Sequence, residues 1–306
     1  MSKILCVIDG MTDPDFCAWE YTHLSSMRLS HYEDTAGNGE PETLRCVLRL
    51  LGVKEPPIHL RGYVEALGAG IPIQPDDLIV RGSLYKLDSQ GRCTIPCIAP
   101  DALDNPHFRY YPLGQYKALL VYPNMGHTIS AITTRLPSSG AGQSAVEFCP
   151  KGSDILSDTF RSLMTDDTCM ILWGQSTPVY LPPFPQSSAV ICGKEIVKGI
   201  ARLLRMDLID LHGATGDVDT DLDSKTDAAL SAAERYPFVL LHINGADEAS
   251  HRRNPAQKKQ FIHQVDIRML SRLLQSKHEV VVVSDHGTDP QNGLHLGNDQ
   301  PIFTNR

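Results

Sequence analysis

The stretch Val280-Val281-Val282-Val283-Ser284-Asp285-His286-Gly287 joins four consecutive valines to two adjacent ionisable side chains. A β-branched run without polar alternation reads as a strand buried on both faces, the pattern of a parallel sheet covered by helices. Packing gives no reason for an aspartate and a histidine at its end, because an unpaired buried charge is costly. The same join recurs elsewhere in the chain. Asp9 follows the apolar run Ile4 to Ile8, and Asp247 and His251 follow the run Phe238 to Ile243. His295 comes shortly after the valines, framed as Gly293-Leu294-His295-Leu296-Gly297. Open α/β sheets build their sites beyond the carboxyl ends of strands, where side chains distant in sequence converge. Six carboxylates and imidazoles so placed are the donor set that a two-metal phosphoryl-transfer centre requires.

Each residue alone has an ordinary alternative. Asp9-Gly10 can simply begin a turn. Asp247 and His251, four apart, share one helix face as surface residues often do. His295, in its apolar frame, fits a satisfied core histidine. It is the coincidence of three strand ends that favours a metal site.

Composition is that of a soluble enzyme: 306 residues, 42% hydrophobic and 21% charged, enough for one large core and a smaller one. A formal net charge of −8 argues against a nucleic-acid partner. The eight cysteines are scattered, only Cys93 and Cys97 lie close, and no second pair completes a zinc cage, so they read as reduced thiols. With no signal-like N-terminus and no apolar run of about 20 residues, the expectation is a cytoplasmic protein without a membrane partner.

Periodicity sets the organisation. Leu44, Val47, Leu48 and Leu51 mark a helix face closed by Gly52. After Glu55-Pro56-Pro57 the pattern changes to short strands such as Leu78 to Leu87 and Cys93 to Ile98, with a turn at Asp88-Ser89-Gln90-Gly91. Helix and strand alternate again after about residue 165, with strands at Cys169 to Trp173, Leu208 to Leu211 and Phe238 to Ile243. Helices are expected over Lys194 to Leu204 and Lys225 to Glu234, and a long one carries Phe261, Val265, Met269 and Leu273. The expected fold is α/β: a doubly wound sheet core of residues 1–55 and 165–306, interrupted by an α+β cap of residues 56–164.

Thr43 stands at the start of the first helix. A threonine there is ordinarily an N-cap. A helix N-terminus also favours an anion, so a hydroxyl at that point can attack a bound phosphoryl group.

Several stretches together carry a resemblance: Val7-Ile8-Asp9-Gly10-Met11-Thr12-Asp13, Leu50-Leu51-Gly52, Arg61-Gly62-Tyr63-Val64-Glu65-Ala66-Leu67-Gly68-Ala69-Gly70-Ile71, Leu172-Trp173-Gly174-Gln175, Gly193-Lys194-Glu195-Ile196-Val197-Lys198-Gly199-Ile200, Gly213-Ala214-Thr215-Gly216 and Asp247-Glu248-Ala249-Ser250-His251. They occur in order along most of the chain. The chain resembles the alkaline phosphatase superfamily and, within it, the archaeal-type cofactor-independent phosphoglycerate mutases.

The resemblance implies an alkaline phosphatase-like core and two divalent ions, Mn2+ or Zn2+, with no organic cofactor. Asp9, Thr43, Asp285 and His286 would hold one ion, and Asp247, His251 and His295 the other. The family's nucleophile is a serine nine residues before the glycine of Leu-Leu-Gly; counting back from Gly52 reaches Thr43, whose extra methyl crowds the attacking oxygen. The segment between Asp9 and Thr43 is also shorter than the family's. Arg61, Arg81 and Arg135 are the expected substrate grips in the cap, facing the metal site, with His127 a proton carrier. Lys225 and, more weakly, His212 are expected near phosphate.

The expected activity is phosphoryl transfer on a small phosphorylated metabolite through phosphothreonine, as in a phosphoglycerate mutase or a close relative. Alternatives are a phosphatase or phosphodiesterase, a homoserine kinase-like relative, or a degenerate metal-binding protein without catalysis.

Overall fold

The computed structural model describes residues 1–137 and 142–306. They form two compact units, one of Met1–Pro56 with Leu181–Arg306, the other of Pro57–Tyr180.

The first unit is built on a seven-stranded sheet. Lys3–Ile8 lies between Phe238–Ile243 and Glu279–Val283 and is parallel to both. Ser188–Ile191 and then Asp207–Leu208 extend the parallel sheet on one side. On the other side Gln300–Thr304 and Arg28–Glu33 add two antiparallel strands. The valines are buried on both faces, as a doubly wound sheet demands. Because the three central strands run in parallel register, their carboxyl ends lie side by side, and that row is where the functional residues begin.

The helix Thr43–Leu50 buries Leu44, Cys46, Val47 and Leu48, each aliphatic side chain contributing about 1.5–3 kcal/mol by removal from water. That burial fixes the position of the helix's first residue, Thr43. The expected long helix is interrupted. Pro255–Gln264 passes through a π-helical segment, Val265–Leu270, before Ser271–Leu273. Asp266, within that segment, accepts the backbone N–H groups of His23 and Leu24 at 2.8–3.1 Å and so satisfies the start of the helix Thr22–Ser26.

The second unit centres on Leu78–Leu87, paired antiparallel with Lys117–Tyr122, Cys93–Pro96 and Thr168–Ser176. This last pairing moves a boundary. The sequence division assigns residues 165–180 to the core, yet Thr168–Ser176 completes the sheet of the second unit, which ends at Tyr180. Its apolar run Cys169 to Trp173 has the signature of any buried strand, and period alone does not say which sheet receives it. The strand expected at Leu208 to Leu211 is likewise reduced to Asp207–Leu208. No helix among the described residues is long and apolar enough to cross a membrane.

Candidate metal centre

Backbone requirements bring the cluster together. Gly10 adopts φ +65°, and a Cβ there would lie 2.7 Å from the Asp247 Cα. Only glycine permits the turn and the close approach at once. With that approach, the Asp247 N–H donates to the Asp9 carbonyl at 3.1 Å. Ser284 ties the other strand end, accepting from Met11 N at 2.9 Å.

Two groups result. Asp9, Asp285 and His286 each offer a ligand atom within 4.8 Å of one another, and so do Asp247, His286 and His295. His286 Nε2 lies 3.4 Å from Asp9 Oδ1 and 3.6 Å from Asp285 Oδ2. His251 Nε2 is 3.3 Å from Asp247 Oδ2, His295 Nε2 is 3.5 Å from Asp247 Oδ1, and the two Nε2 atoms are 3.2 Å apart. All six strand-end residues of the sequence reading therefore converge. His286 stands between the two groups rather than in one alone.

The hydrogen bonds of the imidazoles show which ring nitrogen faces the cluster. His251 Nδ1 faces the Gly293 carbonyl at 2.9 Å, His295 Nδ1 faces the Pro41 carbonyl at 2.6 Å and His286 Nδ1 faces the Gly287 carbonyl at 3.2 Å. A carbonyl only accepts, so each Nδ1 carries a hydrogen, and the Nε2 of each neutral ring turns a lone pair into the cluster. Asp9 Oδ1 and Asp285 Oδ2, both buried, have no hydrogen-bond partner among the described residues. Lone pairs converge on lone pairs, an arrangement that needs cations. Burial, with Asp285 and Asp247 beside it, raises the Asp9 carboxyl well above its ordinary range. Oxygen and imidazole donors in two adjoining sets fit two divalent ions, and the carbonyl-bound Nδ1 atoms give the imidazole orientation that ligating histidines require.

Thr43 is the first residue of its helix, and Glu42 occupies the N-cap. The hydroxyl is therefore not a cap. It lies 3.4 Å from Asp9 Oδ2 and 3.3 Å from His286 Nε2, inside the first group.

Other residues complete the site without having been picked out from the sequence. Thr288 donates to Asp247 Oδ1 at 2.9 Å. His242, fully buried and pushed down to about 4 by burial, places Nε2 3.5 Å from Asp9 Oδ2. Its position inside the apolar run was the available signal, since a histidine at an inward strand position has to be explained. Lys225, expected near phosphate, is fully buried, and its ammonium donates to the carbonyls of Thr215 at 3.1 Å and His242 at 3.4 Å. Burial pushes its ammonium down to about 8. His212 is exposed.

The cap residues lie in the second unit. Arg61 Nε donates to Glu65 Oε1 at 2.9 Å, Arg81 pairs with the other oxygen, and both guanidiniums sit over Trp173 at 5.2 and 5.9 Å. Arg135 is exposed and pairs with Glu147 at 2.9 Å, and His127 is exposed. Burial alone would raise the Glu65 carboxyl, but Arg81 and Arg61 outweigh it and hold it below its usual range. Glu65 thus contributes stability above the usual glutamate range, and that stability is lost as pH falls through the lowered value. Glu65→Gln is expected to destabilise the second unit by about 3–5 kcal/mol at neutral pH, leaving a buried arginine unpaired. The difference from wild type should shrink on acidification; an equal difference at every pH in thermal unfolding would remove the charge argument.

Residues 182–304 match the profile of the metalloenzyme superfamily, a range holding Asp247, His251, Asp285, His286 and His295. Over 99% of this chain and 88% of its own length, the 2,3-bisphosphoglycerate-independent phosphoglycerate mutase 2 of Methanothermobacter thermautotrophicus is 27% identical. In sequence the chain is similar to cofactor-independent phosphoglycerate mutases. A Methanococcus aeolicus enzyme of the same name is 42% identical over 118 residues, which span 37% of this chain and 29% of that enzyme. In fold, the chain is similar to a Pyrococcus horikoshii protein (TM-score 0.70, 19% identity, 99% of this chain and 87% of that one). It is also similar to the Thermoplasma acidophilum cofactor-independent phosphoglycerate mutase (TM-score 0.54, 18% identity, 99% and 89%).

Proposed function

We propose that this protein transfers a phosphoryl group on a small phosphorylated metabolite by way of Thr43, most simply as a 2-phosphoglycerate/3-phosphoglycerate mutase. The observation that carries this reading is the Thr43 hydroxyl, 3.4 Å from Asp9 Oδ2 and 3.3 Å from His286 Nε2, in the group that holds the unpartnered Asp9 Oδ1 and Asp285 Oδ2. Asp9, Thr43, Asp285 and His286 would hold one divalent ion and Asp247, His251 and His295 the other. Bound there, the ions would supply Lewis acidity and a lowered hydroxyl pKa.

The chain's own residues set the rest. The N-terminus of the helix Thr43–Leu50 presents unpaired N–H groups toward an anion. Thr43 Oγ1 loses its proton and bonds to phosphorus as the bond from phosphorus to the substrate oxygen breaks, and that oxygen is protonated. In a mutase the second hydroxyl of the same glycerate then takes the phosphoryl group, and Thr43 recovers its proton. Retention of the glycerate between steps requires cationic contacts, and Arg61, a quarter exposed beside Glu65, is a candidate for one of them.

A panel of phosphorylated metabolites, with and without added Mn2+, separates the possible outcomes. Interconversion of the phosphoglycerates without free phosphate is the expected result. Phosphate release in its place would make the protein a hydrolase.

A further inference from the structure

Asp9 offers two chemically equivalent oxygens, yet its surroundings treat them differently. Oδ1 faces His286 Nε2 and has no hydrogen-bond partner among the described residues. Oδ2 is held by two donors, the Thr43 hydroxyl at 3.4 Å and the side-chain amide of Asn244, while His242 Nε2 stands 3.5 Å away without a hydrogen bond. Asn244 is buried, at the end of the strand Phe238–Ile243. A carboxylate oxygen flanks its amide on one side and an ammonium on the other, which settles the orientation. The nitrogen donates to Asp9 Oδ2, and the oxygen accepts from Lys194 Nζ at 3.2 Å. Lys194 is in turn paired with Glu248, the neighbour of Asp247 on the helix Gly245–His251.

We infer that Asn244, oriented by Lys194, is a positioning residue that holds Asp9 Oδ2 so that Oδ1 is presented to the ion of the first group. The inference rests on the metal reading of the site given above. A ligating carboxylate free to rotate would offer either oxygen, or both, and lose the angle set by Asp285 and His286. A neutral amide fixes it without adding a charge to a cluster that already holds three carboxylates. Lys194 acts through the amide, and through Glu248 it connects the two ligand groups.

The test uses the metal-stripped full chain titrated with Co2+, followed by calorimetry and by visible absorption, which reports the coordination geometry of each ion. Wild type should bind two ions. Asn244→Leu, close in volume, should weaken one of the two binding steps about 10- to 100-fold and change that ion's spectrum, while the other step stays within a factor of two or three. Lys194→Met should weaken the same step, and Lys194→Arg should restore much of it. Equal weakening of both steps together with a lower metal-free melting temperature would mean general loss of structure and overturn the inference. Unchanged affinities in both variants would do the same while leaving the metal reading intact. Failure of wild type to bind two ions would instead overturn the metal reading, and the positioning role with it.

Discussion

Thr43→Ala is expected to lower turnover by about 10^3-fold or more while leaving metal content near that of wild type. The hydroxyl is the bond-forming atom, and its loss cannot be compensated by residues that only bind and orient. Most of each ion's donors remain: Asp9, Asp285 and His286 in one group, and Asp247, His286 and His295 in the other. The fold should survive as well. Thr43 lies inside the helix rather than at its N-cap, and the helix Thr43–Leu50 is anchored by the buried Leu44, Val47 and Leu48. Thr43→Ser should keep or raise activity, since it retains the oxygen and removes the methyl that crowds it. Mass spectrometry of the wild-type enzyme quenched during turnover should locate phosphate on Thr43. An alanine variant that turns over at the wild-type rate would reduce Thr43 to the first residue of a helix and make water the attacking group.

Much of the site was legible because its residues violate the pattern of the elements that carry them. Asp285 and His286 interrupt a valine strand that otherwise calls for continued burial, and Asp9 and Asp247 interrupt comparable runs, so charge at a strand end is visible in one dimension. Thr43 was legible by its place at the start of a helix and, through the resemblance, by its spacing from Gly52, but a role as a cap was equally consistent with the sequence until Glu42 was seen in that position. The shared place of His286 was not readable. Whether an imidazole serves one group or two depends on distances between strands, which sequence order does not encode. Asn244 was hidden for a related reason: an asparagine following a strand is ordinarily a turn residue, and its partner Lys194 is 50 positions away. The boundary near residue 180 was misplaced because Cys169 to Trp173 would suit either sheet; only its antiparallel pairing with Leu78–Leu87 decides the matter.

Removing divalent ions with a chelator should both abolish turnover and lower the melting temperature of the first unit, and restoring them should reverse both. At an ion concentration about 1,000-fold above Kd, each site that exists only in the folded chain adds about 4 kcal/mol. For a unit of this size that corresponds to roughly 8–16 °C per ion. The structure adds a dependence on pH. Asp9 is raised well above its ordinary range by burial and by Asp285 and Asp247, so the folded metal-free chain retains a proton that the unfolded chain has released. Asp9's contribution to the stability of the metal-free chain should therefore fall as pH rises from the ordinary aspartate range through the raised value, against the opposite contribution of His242, which burial pushes down to about 4. Bound ions neutralise the same carboxylates, so their stabilising effect should grow over that window. Asp9→Asn, which removes the charge without changing the shape, should leave the metal-free chain as stable as wild type or more so, and should flatten its pH dependence. It should also cost the first ion, because an amide is a much poorer ligand than a carboxylate. A metal-free wild type as stable at neutral as at mildly acidic pH, with no gain on adding Mn2+ or Zn2+, would show that the acceptors around Asp9 are satisfied without a cation.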